Sequence, residues 1–81
     1  MTIHVLLFAS IRDRAGASAL DLELPASSTV QNAIGVLAER FPPLLDRLGR
    51  VMYAVNQQYS DSETVLNDGD ELALIPPVSG G

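Results

Sequence analysis

Cysteine and lysine are both missing from this chain, and histidine occurs once, at His4. Without thiols there is no disulfide, no thiolate metal site and no cysteine nucleophile. One imidazole cannot assemble a metal cluster, and His4, alone near the start of an apolar segment, reads as a solvated surface residue. Without lysine no side-chain amine can accept an isopeptide bond, although a general preference for arginine explains its absence equally well. No apolar run approaches the ~20 residues of a membrane-spanning helix, and the first residues lack a signal-peptide pattern. The expected setting is the cytoplasm. Positive charge is scarce as well: five basic residues face ten acids, for a formal net charge of −5. Nucleic acid is a poor partner for such a surface, because phosphate binding needs clustered Lys and Arg. A basic protein partner suits the net charge better.

What is present is a folding composition. Apolar residues make up 47% of the 81, charged residues 19%, and Leu, Val, Ile and Ala are spread along the whole length. That amount of chain supports one small core. The expected division is a folded unit over residues 1–75 and a flexible C-terminal tail over 76–81, with no internal repeat.

Thr2 to Ala9 alternates with period two, which predicts a strand with Ile3, Val5 and Leu7 on one side and His4, Leu6 and Phe8 on the other. Ser10 to Ala17, with Arg12-Asp13-Arg14 and Gly16, reads as a polar loop. Ser18 to Leu24 is a clear amphipathic strand: Leu20, Leu22 and Leu24 point one way, Asp21 and Glu23 to water. Pro25 stops it, and Ser27-Ser28-Thr29 supplies N-cap candidates. Val30, Ala33, Ile34, Leu37, Ala38 and Phe41 then recur at helical spacing, predicting a helix of about three turns with one buried stripe. Gly35 lies off that stripe, where no packing reason for glycine is apparent. Pro42-Pro43 end the helix, and Leu44 to Leu48 offer one further turn. Val51 to Val55 is a third strand, and Tyr59 to Thr64 reads as irregular. Val65-Leu66 is a short apolar return, Asn67-Asp68-Gly69-Asp70 a turn, and Glu71 to Ile75 the last strand. The order is β-β-α-β-(short β)-β. One helix covers one face of a sheet, so the expected fold is α+β, with a mixed sheet of four to five strands. The first and last strands pair at its middle, as in the ubiquitin-like β-grasp.

If Ile3, Val5, Leu7, Leu72 and Leu74 meet the helix, then Leu6, Phe8, Ala73 and Ile75 share the opposite face, with Tyr59 at its edge. A contiguous apolar patch of this kind marks an interface, and it lies at the root of Pro76-Pro77. The chain provides no side-chain catalytic set: Asp21 and Glu23 are exposed strand carboxylates without a cleft, and Asp68-Gly69-Asp70 is too short for a calcium loop. What remains is the α-carboxylate of Gly81, ionised at neutral pH. An ionised carboxylate is a poor electrophile and needs activation, typically by ATP as an acyl-adenylate, before a sulfur or amine nucleophile can attack it. Pro76-Pro77 stiffen the base of the arm, Gly80-Gly81 give a slim tip free of Cβ atoms, and residues 76 to 81 reach at most about 20 Å.

Four segments carry a family resemblance over essentially the full length. They are Val5-Leu6-Leu7-Phe8-Ala9 followed by Arg12-Asp13, then Ala54-Val55-Asn56-Gln57, Asp68-Gly69-Asp70-Glu71, and the closing Pro76-Pro77-Val78-Ser79-Gly80-Gly81. On these the chain resembles the small, sulfur-carrier subunit of molybdopterin synthase. The resemblance implies a β-grasp fold and a chain that is not catalytic alone. It further implies a Gly81 that is adenylated by a ubiquitin-activating-enzyme-like protein and converted by a sulfur donor protein to a thiocarboxylate. Phe8, Tyr59, Ile75, Pro76, Pro77, Val78 and Ser79 would then dock the large synthase subunit in a heterotetramer. Sulfur would pass to cyclic pyranopterin monophosphate in molybdenum cofactor biosynthesis. The chain itself would bind no cofactor; ATP belongs to the activating enzyme. A thiamin-pathway sulfur carrier and a ubiquitin-like protein modifier, both ending in Gly-Gly, are the alternatives.

Overall fold

The structure, a computed structural model, describes residues 1–44 and 48–77. Its elements run β1 (Thr2–Leu7), α1 (Ala9–Ala15), β2 (Ala19–Glu23), α2 (Val30–Arg40), a 3-10 turn (Pro42–Leu44), β3 (Met52–Val55), β4 (Gln58–Ser60) and β5 (Glu71–Ile75). The five strands form one sheet in the order β2-β1-β5-β3-β4. The first and last strands pair in parallel at its centre, Val5 opposite Leu72 and Leu7 opposite Leu74, and the other neighbours are antiparallel. A parallel pair needs a long crossover, and here the rest of the chain provides it.

Period-two patterning decides which face is covered. Ile3, Val5, Leu7, Leu22, Leu24, Leu72 and Leu74 are buried from the sheet side; Val30, Ala33 and Leu37 of α2 meet them, with Ile11, Leu44, Leu48 and Leu66 closing the margins. The helix starts where Thr29 caps it: the Thr29 hydroxyl accepts from the Asn32 backbone N–H, and Asn32 Oδ1 accepts from the Thr29 N–H, a reciprocal capping box. It ends at Phe41, directly before Pro42-Pro43.

Three expectations need correction. The segment Ser10–Ala17 is not a loop, because Ala9–Ala15 is helical. An isolated seven-residue helix is marginal in water, and this one holds because Ile11 is fully buried in the core. Gly16 closes it at φ +75, its N–H donating to the Arg12 carbonyl at 2.9 Å. Its single fully buried side chain leaves no stripe for periodicity to detect. Second, Tyr59 is not in irregular chain but in the edge strand β4, which joins β3 through Asn56-Gln57, both at positive φ. That is the geometry of a two-residue hairpin turn. Third, Val65 makes only an isolated bridge to Thr29, so the short strand is Gln58–Ser60 and not Val65-Leu66.

The turn at residues 67–70 gathers three strand ends. Gly69 N–H donates to the Thr2 carbonyl at 2.8 Å with φ +84, a conformation that favours glycine. Asp70 Oδ2 accepts from the Asn67 N–H at 2.8 Å and Oδ1 from the Asn56 side-chain amide at 3.0 Å. Asn56 Oδ1 in turn accepts from the Glu71 N–H at 3.0 Å. Two of the segments that carry the family resemblance therefore meet in space, and their joint role is to hold the base of β5.

Candidate functional site

β5 lies in the middle of the sheet and delivers the chain end from there. Ile75, its last residue, stands in register with Met52 of β3. Pro76 follows half-buried and Pro77 exposed. Neither proline has an N–H for the ladder, so pairing stops at this point. Val78, Ser79, Gly80 and Gly81 lie outside the described residues.

The face of the sheet turned away from α2 is built by register. One row crosses all five strands: Ala19 opposite Leu6, Leu6 opposite Ala73, Ala73 opposite Ala54, and Ala54 opposite Tyr59. The two alanines in the middle are short and shielded by their neighbours, whereas Tyr59 at the edge is 71% exposed. The row is thus a shallow trough between Leu6 and Tyr59. Towards the tail it is flanked by Ile75 with Met52 and by Phe8, the last two 46% and 43% exposed. On the other side a polar row, Asp21, His4 and Glu71, closes it. There the His4 ring donates from Nδ1 to Asp21 Oδ1 at 2.7 Å, both residues well exposed.

Phe8 occupies the N-cap of α1 in extended geometry with no side-chain capping bond, its carbonyl accepting from Ile11 and Arg12 N–H groups. Ser, Thr, Asp or Asn would serve the helix better there. Local helix chemistry therefore does not account for a large, half-exposed aromatic, whereas the apolar face it extends does.

Of the residues singled out from sequence, Phe8, Tyr59, Ile75, Pro76 and Pro77 fall on or beside this one face. Met52 and Ala54 complete it and were not singled out. Their alternation within Val51–Val55 was visible, but only the pairing of β3 with β5 shows that their side meets Ala73. A second concavity is an open groove between Leu24–Ser28 and the Gln31, Asn32 and Gly35 side of α2. Among the described residues no group of three or more His, Cys, Asp or Glu is placed to hold a metal ion, and no helix is long and apolar enough to cross a membrane. The arrangement presents a broad apolar face and sends the chain out of the sheet at its margin, at Pro76-Pro77.

Known proteins share this design. The family model described as "ThiS family" matches residues 5–81. A molybdopterin synthase sulfur carrier subunit from Arabidopsis thaliana is 40% identical over 79 residues, covering 98% of this chain and 82% of that protein. The crystal structure of SAMP1 from Haloferax volcanii superposes with a TM-score of 0.91 at 28% identity, covering 100% of both chains. A chain in the complex of subunits 1 and 2 of molybdopterin-converting factor from Helicobacter pylori does so with a TM-score of 0.74 at 26% identity, again over 100% of both.

Proposed function

The chain belongs to the ThiS family, and from that premise we propose that it is the sulfur-carrier subunit of molybdopterin synthase. The observation that carries this reading is near-full-length similarity to proteins named as that subunit. With it goes a C-terminal Pro-Pro-Val-Ser-Gly-Gly. The Gly81 carboxylate attacks ATP bound by an adenylyltransferase of the ubiquitin-activating type and becomes an acyl-adenylate with loss of pyrophosphate. Sulfide-level sulfur delivered by a sulfur donor protein then attacks the acyl carbon, the C–S bond forming as the C–O bond to AMP breaks, to leave a thiocarboxylate and AMP. The apolar face of Leu6, Phe8, Met52, Ala54, Tyr59 and Ile75 docks the large subunit, and the tail delivers sulfur to cyclic pyranopterin monophosphate in its active site. In this role the chain binds no cofactor and is not catalytic alone. It works in the cytoplasm as the small subunit of a heterotetramer.

The likeness to small archaeal modifier proteins favours one second reading, attachment of Gly81 to amines on other proteins. Intact-mass measurement after incubation with ATP, the activating enzyme and a sulfur donor separates the two. The carrier reading expects replacement of one carboxylate oxygen by sulfur, lost when Gly81 is deleted. Stable adducts to other proteins, with no thiocarboxylate, would support the modifier and sink the carrier.

A further inference from the structure

Net charge suggests a basic partner, yet the fold does not spread that charge evenly. β1 and β5 run in parallel, so the sheet has a tail end, after Leu7 and Ile75, and a far end, before Thr2 and Glu71. Arg12 and Arg14 lie in α1, which follows β1 at the tail end and rests against the 3-10 turn, Arg14 Nη1 donating to the Pro43 carbonyl at 3.1 Å. Arg40 is in the last turn of α2 beside that same turn, its guanidinium stacked over Phe41. Arg50 precedes Met52, whose register partner is Ile75. All four are exposed; the described acids at this end are Asp13 and Glu39, and Asp13 Oδ1 lies 3.6 Å from Arg12 Nε in an exposed ion pair that water screens.

The far end holds the opposite charge. Asp21 and Glu23 pair with His4 and Thr2, and Asp68, Asp70 and Glu71 form and leave the 67–70 turn. Asp61 and Glu63 sit in the loop that meets the start of α2 through Ser62 and Thr64. Against these seven carboxylates stand the Met1 ammonium and His4. The two ends are at least the six residues of β1 apart, about 17 Å at the strand rise. That is roughly two Debye lengths at physiological ionic strength, so a partner at the tail end senses mainly the local arginines. Cations in last helical turns also complement helix dipoles, but Arg50 lies in no helix, and the dipole effect fades within a turn.

We infer that the arginine-bearing tail end is an electrostatic recognition surface that fits an acidic rim around the tail-accepting site of the partner protein. It orients the carrier tail-first before the apolar face docks. Complementary charge of this kind acts chiefly on association rate and its salt dependence, while apolar packing sets dissociation.

The inference rests on the proposed role as small subunit, so the test uses the cognate large subunit, with binding followed by stopped flow across a salt series. Replacing Arg12, Arg40 and Arg50 together by Gln should lower the association rate about tenfold at low salt. The deficit should vanish at high salt, with dissociation changed less than about twofold. The corresponding triple Lys variant should restore the rate. A far-end triple of Asp21→Asn, Glu23→Gln and Glu63→Gln alters net charge in the same sense as would a gain of arginines and should not accelerate tail-first docking. An unchanged association rate in the Gln triple, failure of Lys to restore it, or a far-end effect as large as the tail-end one would overturn the inference alone. Absence of any wild-type binding would overturn the functional reading, and the inference with it.

Discussion

Gly35 sits on the exposed side of α2, with nothing within 4 Å of where a Cβ would stand. Its backbone is ordinary helix, so the glycine adds only conformational freedom to the unfolded chain. Gly35→Ala should stabilise the protein by about 1 kcal/mol, a rise of roughly 4–8 °C in Tm for a domain of this size. Thermal denaturation checks it, and an unchanged or lower Tm would mean that Gly35 has a structural role in α2. Gly69 is the contrasting case: its positive φ and its bond to Thr2 are what bring the last turn onto β1. Asn56 shows why residue identity could be read while its purpose could not. Asn56 stands out in the sequence within Ala54-Val55-Asn56-Gln57, but the bonds from Asn56 to Asp70 and Glu71 cross 14 and 15 positions, and no local pattern encodes them.

At the scale of elements, α1 and α2 differ in what holds them. α2 has an N-cap, an apolar stripe and a proline stop, each visible in order along the chain, and the structure adds the reciprocal bonds of Thr29 with Asn32. α1 depends on Ile11, fully buried although its neighbours Arg12, Asp13 and Arg14 are exposed. Ile11→Ala should cost roughly 2–5 kcal/mol by lost burial and the cavity left behind, measured as a shift in the urea midpoint at unchanged m-value. A loss below about 0.5 kcal/mol, the size of an ordinary surface substitution, would show that α1 does not depend on this contact. Arg12-Asp13-Arg14 and Gly16, read in the sequence as a polar loop, are instead the last turn and C-cap of α1. β3 was anticipated over Val51–Val55, whereas the three-residue β4 was too short for a pattern and is defined by its pairing with β3.

Across the whole molecule, the apolar face and the tail root occupy one side and one end. Phe8 is 43% and Tyr59 71% exposed, so neither is needed for the core. The double variant Phe8→Ser, Tyr59→Ser should keep its fold, since serine at position 8 would even supply a helix-capping oxygen. It should bind the large subunit at least tenfold more weakly, about 1.4 kcal/mol, as expected for exposed aromatic anchors. Circular dichroism and calorimetric titration test the two halves of the statement. Unfolding would assign the face to the core, and undiminished affinity would remove it from the interface. Because the face and the arginine-bearing end act at different stages of docking, these substitutions should raise the dissociation rate, whereas loss of the arginines should slow association.

Alternation along Thr2–Leu7, Ala19–Glu23 and Glu71–Ile75 fixed which side chains enter the core, because the pleat sends successive residues to opposite faces. Likewise, the 3.6-residue repeat of Val30–Phe41 fixed the stripe of α2. The absence of cysteine excluded a thiol as a sulfur-carrying group. The tertiary structure alone decided that Ala19, Leu6, Ala73, Ala54 and Tyr59 form one row, that Met52 belongs beside Ile75, and that arginines gather where the tail leaves. These facts depend on register between strands far apart in the chain, which is set by the parallel closure of β1 on β5. That closure is a property of the whole core and of no single stretch of sequence.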